Sequence, residues 1–238
     1  MIPRIIHYCW FGRGPMPDLA LKCIASWHKF MPDWEYILWN EDTFDINNYQ
    51  YAREAYNSKK YAFVSDVSRL VALKNVGGIY LDVDFMVYKP FDDLLKYSAF
   101  AGFEGSKTKP VMMGVIGSEP SGVWVKEQLE LYRERHFIVN GKEDLTPNVR
   151  MITDNMISNG FVPDGQEKDY KDLHVFPVDF FCPRQTTGEF LKTANTYCEQ
   201  LGSSSWAPGT SRWKTKLLSL ASPSTRIRII KLKRKLFG

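Results

Sequence analysis

Gly77-Gly78-Ile79-Tyr80-Leu81-Asp82-Val83-Asp84, followed by Phe85-Met86-Val87, is the stretch on which the reading of this 238-residue chain turns. Two glycines close whatever precedes them, an apolar run opens a new element, and two carboxylates arrive at its far end. Read as one strand from Ile79 to Val87, residues i and i+2 face the same side, so Asp82 and Asp84 are expected to reach one point. Upstream, Val67, Leu70, Val71 and Leu73 recur at helical spacing and predict a helix from Phe63 to Val76.

Further out, Glu35 to Asn40 reads as a second strand. A helix is predicted from Asp18, taken as its N-cap, to Pro32, and a first buried strand from Ile2 to Trp10. Strand–helix–strand–helix–strand predicts an α/β sheet with a site at its strand ends. In the second half, Ser98 to Phe103, Val111 to Gly117 and His174 to Val178 read as short strands, with helices over Val123 to Arg135 and Asn148 to Ser158.

Composition is that of a globular protein: 44% hydrophobic, 14% aromatic and 24% charged, which excludes a disordered or collagenous chain. Cys9, Cys23, Cys182 and Cys198 show no CxxC spacing, so neither a disulfide scaffold nor structural zinc is expected. His7, His28, His136 and His174 show no mutual metal spacing, and His7 reads as a core histidine. There is no P-loop and no GxSxG elbow. No apolar run reaches eighteen residues, and Met1 to His7 reads as a strand, not a secretory leader. A cytoplasmic protein with reduced thiols is the expectation.

The net charge of +4 hides an asymmetry. Residues 212–238 hold nine Lys/Arg and no acid, which leaves 22 bases against 27 acids in residues 1–211. Two units are therefore expected: a mildly acidic domain over 1–211 and a basic tail over 212–238 in which Ile229, Leu232 and Leu236 share a helical face. Such a tail suits an anionic membrane surface. With an acidic body and no nucleic-acid motif, nucleic acid is not expected as a partner.

At a strand end, Asp82 and Asp84 form a hard-oxygen pair suited to Mg²⁺ or Mn²⁺, ions that bind few carboxylates together with substrate phosphates. Asp66 and Arg69, at i and i+3, share a helix face. Trp10 closes the first strand where a nucleotide base could stack.

Ile2-Pro3-Arg4-Ile5-Ile6-His7-Tyr8-Cys9-Trp10-Phe11-Gly12, Trp39-Asn40-Glu41, Lys60 to Leu70 with its Ser65-Asp66-x-x-Arg69, and the Gly77–Asp84 stretch together resemble the bacterial DXD-containing sugar transferases of glycosyltransferase family 32. The same signatures are similar to the catalytic core of the clostridial glucosylating toxins. The resemblance is strong over about residues 1–105 and weaker up to Ser205-Trp206.

It implies a GT-A fold and a retaining transfer of a hexose from a nucleotide sugar, UDP-linked, with Mn²⁺ or Mg²⁺, to a polysaccharide or lipid-linked oligosaccharide. By position, Trp10 would stack on the base and Asn40 would lie near the donor. Asp66 and Arg69 would bind ribose and sugar. Asp82 would contact ribose or sugar hydroxyls, Asp84 would be the main metal ligand, and Ser205 and Trp206 would close a lid over the diphosphate. Asp82, Asp84 and Arg69 are the expected catalytic set.

Family members commonly carry a histidine pair before the Ser-Trp. Here Tyr197 to Gly202 stands instead, with Gln200 or Glu199 as the replacement and Gln200 carried as a metal-site candidate. Asp154 and Glu104 are carried as acceptor-site candidates. The resemblance implies a peripheral position on the inner face of the cell membrane. Two other readings remain: a non-catalytic, membrane-attached sugar-nucleotide binder, and a DxD aspartate phosphohydrolase, disfavoured because Met86 stands where Thr or Val belongs.

Overall fold

The computed structural model describes residues 1–105, 109–184 and 190–202. Ser205, Trp206 and the tail lie outside them. The strands are β1 (Ile5–Cys9), β2 (Glu35–Trp39), β3 (Gly78–Leu81), β4 (Phe85–Val87), β5 (Ala99–Gly102), β6 (Val115–Ser118), β7 (Ile138–Val139), β8 (Lys142–Glu143), β9 (Lys168–Tyr170), β10 (Leu173–Phe176) and β11 (Cys198–Gln200). The helices are α1 (Asp18–Phe30), α2 (Gln50–Asn57), α3 (Tyr61–Val76), α4 (Val123–Glu130), α5 (Asn148–Ser158) and the short α6 (Val178–Phe181).

Seven strands form one mixed sheet in the order β2-β1-β3-β6-β5-β10-β9. β1 runs parallel to β2 and β3, and β10 parallel to β5, whereas β6 is antiparallel to both β3 and β5 and β9 to β10. Helices flank this sheet, so the α/β, GT-A expectation for the fold holds.

Strand alternation builds two cores, one on each face. Tyr80 of β3, Ile116 of β6 and Ala99 and Ala101 of β5 face α3, α4 and α5, while Ile79, Leu81, Val115 and Phe100 face the layer holding Trp27 of α1. β3 is buried at every residue. The glycines before it have a steric reason. Gly77 and Gly78 have φ of +70° and +106°, and a Cβ on Gly78 would stand 2.8 Å from the Ile5 carbonyl. Only glycine turns the chain from α3 into β3 this close to β1.

Several boundaries differ from expectation. Asp18 is the first helical residue, with Pro17 at the cap and no side-chain capping bond. The helix expected up to Arg135 ends at Glu130. The strand expected from Val111 starts at Val115, because Met112, Met113 and Gly114 bulge between the Phe103–Val111 bridge and the β5–β6 ladder.

The largest correction concerns the deciding stretch itself. Ile79 to Val87 is two strands, not one. Asp82 donates its N–H to the Gly114 carbonyl (2.9 Å), and Phe85 N–H closes a turn back onto the Asp82 carbonyl (3.1 Å). β4 then leaves the main sheet and pairs antiparallel with β11, Gln200 opposite Phe85. Had β3 continued, both carboxylates would have followed Tyr80 into a buried face without water. The same-side alternation therefore does not apply; Asp82 and Asp84 are neighbours on a turn.

Candidate active site

The register of β1 aligns three strand ends. Cys9 pairs with Trp39, and His7 with Tyr80, so two residues further on Cys9 lies level with Asp82. Asn40, Trp10 and Asp82 thus follow β2, β1 and β3 along one carboxyl edge, where open α/β sheets bind ligands. His7 sits below this edge as a fully buried core residue. Trp39 donates its indole N–H to His7 Nδ1 (3.0 Å), which leaves Nε2–H for the Gly77 carbonyl (2.7 Å). Burial holds its pKa below the usual value.

Trp10 is half-buried; its main-chain N–H reaches the Trp39 carbonyl (2.9 Å) and its indole N–H the Gly14 carbonyl (2.6 Å). The Asn40 side-chain oxygen accepts from Asp42 N–H (2.9 Å), a turn that fixes the end of β2. Between them, Glu41 accepts from Gly12 N–H (2.6 Å) and the Tyr56 hydroxyl (3.0 Å), tying the Trp10 loop to β2.

Behind the edge lies a buried charge cluster. Arg69 is 5% and Asp66 8% exposed. The Arg69 guanidinium donates to the Ser65 carbonyl (3.0 Å), the Met113 carbonyl (2.6 Å) and Asp66 Oδ1 (2.9 Å), comes within 3.6 Å of Asp82 Oδ1, and lies over the Tyr80 ring at 4.6 Å. It is expected to face phosphate or sugar, yet it is occupied by protein groups and braces Asp66, Asp82 and the 112–114 bulge together.

The Tyr80 hydroxyl donates to Asp82 Oδ1 (2.6 Å), and Asn148 at the start of α5 donates to Asp66 Oδ1 (2.7 Å). Burial pushes the Asp66 carboxyl up to about 7 even beside Arg69, with Asp82's charge adding to the rise. Arg69 shares its charge among Tyr80, Asp82 and Asp66; burial opposes that charge, but these neighbours together hold it more firmly protonated.

Asp82 keeps 31% of its side chain exposed, while Asp84 as a whole is 7% exposed. β11 brings Gln200 beside it: Leu201 N–H donates to the Asp84 carbonyl (2.9 Å), and Gln200 Nε2 stands 3.4 and 3.3 Å from the two carboxylate oxygens. Gln200 thus presents its nitrogen, a donor to the carboxylate, toward Asp84; an amide turned over would present oxygen to a cation. Glu199, the other replacement weighed, is instead held by the Tyr88 hydroxyl and by Arg184 at 3.3 Å.

Two carboxylates and an amide are hard donors that fit Mg²⁺ or Mn²⁺. Gly114 keeps space at Asp82, since a Cβ there would stand 3.0 Å from Asp82 Oδ2 and 2.6 Å from the Phe85 ring. Among the described residues no group of three or more His, Cys, Asp or Glu gathers as a ready-made metal cage. Such ions also draw ligands from substrate phosphates.

Asp154 is a surface acid paired with Arg150 at 3.5 Å and 63% exposed. The four cysteines are buried and unpaired. Sequence reasoning missed Asn148, Tyr80 and the Met113 carbonyl. The first two were visible only as one helix-start residue and one apolar-run residue.

Comparison with known proteins gives the class first. Residues 17–101 match the family model described as a glycosyltransferase sugar-binding region containing the DXD motif. What the chain shares with these proteins is the glycosyltransferase kind.

Among curated relatives, it is 30% identical over 147 residues to the mannosyl phosphorylinositol ceramide synthase CSH1 of Saccharomyces cerevisiae, covering 58% of this chain and 38% of that one. It is 31% identical over 106 residues to inositol phosphoceramide mannosyltransferase 1 of Schizosaccharomyces pombe, covering 42% and 33%. The chain therefore spans well under half the length of these relatives. A solved glycosyltransferase involved in glycosylating the major capsid of PBCV-1 overlays 97% of this chain and 100% of its own, at a TM-score of 0.48 and 10% identity, too distant to bear on function.

The relatives correct two expectations. They are mostly fungal, so the bacterial connection is not carried. The cytoplasmic placement on the inner face of the cell membrane is overturned, since these fungal mannosyltransferases belong to a lumenal setting. Among the described residues no helix is long and apolar enough to cross a membrane.

Proposed function

We propose that residues 1–211 form the donor-binding catalytic part of a metal-dependent, retaining glycosyltransferase that moves a hexose from a nucleotide sugar to a glycan or glycolipid. The observation that carries this reading is the turn holding Asp82 and Asp84 at the sheet's carboxyl edge, with Asp82 braced by Tyr80 and by Arg69.

Asp84 and Asp82, with Gln200 beside them, would hold Mn²⁺ or Mg²⁺, whose charge offsets that of a departing diphosphate. Trp10 stacks on the base, Asn40 borders the donor, and Asp66 accepts ribose hydroxyls while Arg69 and Asn148 fix its carboxylate. Arg69 acts through Asp66 and Asp82 as a positioning residue. Preorganised groups of this kind stabilise developing charge without reorganising during reaction. By the resemblance, Ser205 and Trp206 are read as donor-site residues, and the charge of the basic tail 212–238 suits an anionic membrane surface. The acceptor attacks from the face that the diphosphate leaves.

The resemblance favours a UDP-linked donor. Relatives named for mannosyl transfer to inositol phosphoceramide support a glycolipid acceptor and bring GDP-mannose into contention. Nucleoside diphosphate release from a panel of UDP- and GDP-sugars, with Mn²⁺, Mg²⁺ or EDTA, tests the reading. Metal-dependent release from one donor, abolished by Asp84→Ala, is expected. Tight donor binding without release, even with glycolipid added, would support the non-catalytic binder instead.

A further inference from the structure

Gly12, two residues past Trp10, is the point where three elements of the fold meet. Its N–H donates to Glu41 Oε1 (2.6 Å), just past β2, and the same oxygen accepts from the Tyr56 hydroxyl (3.0 Å) in the last turn of α2. At its Cα stands the ring of Tyr61, the first residue of α3: a Cβ on Gly12 would fall 2.3 Å from that ring. The Tyr56 and Tyr61 rings pack on each other with centroids 5.5 Å apart.

A second tether joins the same loop to the turn after β2. Arg13 and Asp42 form a bidentate pair (2.6 and 3.0 Å), but their side chains are 60% and 62% exposed, and water screens such pairs until they hold little. The Glu41 bonds are partly buried and charge-assisted. Burial works against the Glu41 charge, but the Gly12 N–H, the Tyr56 hydroxyl and Arg13 outweigh it and hold the carboxyl below the usual range. Of the two side-chain tethers, Glu41 is therefore the one that sets the loop.

Trp10 is held within this loop, its indole N–H on the Gly14 carbonyl (2.6 Å) and its main-chain N–H on the Trp39 carbonyl (2.9 Å). With the indole N–H so used, Trp10 offers a base its ring face and no hydrogen bond. A ring fixed in advance does not have to be ordered when the ligand arrives, which is where preorganisation gains affinity.

Resting on the donor-site reading above, we propose that Glu41 is a positioning residue for the nucleotide base, holding the Trp10 ring through Gly12 in the place where a base stacks. Glu41 touches no part of the nucleotide itself. Metal and diphosphate stay with Asp82, Asp84 and Gln200, so the two halves of donor recognition are separable.

The test titrates the full chain in Mn²⁺ with UDP, with GDP and with inorganic pyrophosphate, which has no base. The variants are Glu41→Ala, Glu41→Gln, Trp10→Ala and the double variant Trp10→Ala/Glu41→Ala. Trp10→Ala is expected to weaken the better-bound nucleotide about 5- to 150-fold, the worth of one base–aromatic stack. Glu41→Ala should weaken it about fivefold or more, yet no further than Trp10→Ala does. Added to Trp10→Ala, it should change affinity by no more than about twofold. Glu41→Gln keeps an oxygen that accepts from Gly12 N–H, and should bind about threefold or more tighter than Glu41→Ala. Pyrophosphate should bind every variant within about twofold of wild type.

A Glu41→Ala loss of equal size with and without Trp10 overturns the proposal. So does nucleotide affinity unmoved in Glu41→Ala, no recovery in Glu41→Gln, or pyrophosphate binding lost along with nucleotide, the mark of a merely structural residue. A wild type that binds neither nucleotide more tightly than pyrophosphate has no base stack, which overturns the proposal and leaves the metal–diphosphate edge standing. A wild type that binds none of the three fails at the glycosyltransferase reading itself and takes the proposal with it.

Discussion

Replacing Asp66 by Asn should change the pH dependence of stability in a direction fixed by the structure. Asp66 faces Arg69 and Asn148 directly, with Asp82 and Arg135 close enough to act through charge, and burial raises its pKa to about 7. An unfolded Asp titrates near 3.9. Between those values the folded protein holds a proton that the unfolded chain has released, so wild-type stability falls as pH rises through this window and levels off above about 7.

Asn cannot titrate, yet its side-chain oxygen still accepts from Asn148 and Arg69. The stability difference, Asp66→Asn minus wild type, should therefore rise with pH, by about 2–3 kcal/mol between pH 5 and pH 8. Any fixed cost of losing the ion pair cancels in that slope. Urea denaturation of both proteins in EDTA at four or five pH values measures it. A flat difference, or one that falls with pH, would show that Arg69 and not burial governs Asp66.

Three further outcomes follow from the same geometry. Tyr80→Phe removes the hydroxyl that orients Asp82; Mn²⁺ affinity by titration calorimetry should fall about 10–100-fold, with a stability loss of only about 1–3 kcal/mol. Gly114→Ala would drive a methyl against the Phe85 ring and Asp82, costing about 1–3 kcal/mol in thermal or urea unfolding and weakening nucleotide binding further than Tyr80→Phe does. Trp39→Phe leaves His7 Nδ1 buried without its donor, and denaturation should show a loss of about 1–3 kcal/mol with metal affinity unchanged.

Local patterns carried much of this structure. α5 begins at Asn148 and ends at Ser158, the bounds read from the sequence, and β2 and α3 fall within two residues of their predicted bounds. Elements that depend on distant partners were not legible. Ile79 to Val87 reads as one apolar strand because its interruption is set from outside, by the Gly114 carbonyl and by β11 more than a hundred residues later. β11 has three residues, too few for a periodic signal, and α2 is polar enough to pass for a loop.

The candidate site divides along the same line. Asp82, Asp84, Asp66 and Arg69 stood out as charges beside apolar runs. Asn148, by contrast, reaches Asp66 across 82 residues of sequence. Arg69's turn inward, onto the Ser65 and Met113 carbonyls, depends on a bulge that residues 112–114 do not announce.

Calorimetric titration of the full chain with UDP and with GDP, each in Mn²⁺ and in EDTA, beside Asp84→Ala, most directly tests whether this edge is a metal-assisted nucleotide-sugar site. One nucleotide should bind in Mn²⁺ and lose about tenfold or more in affinity both in EDTA and in Asp84→Ala. Binding indifferent to metal and to Asp84, or no binding of either nucleotide, would contradict it.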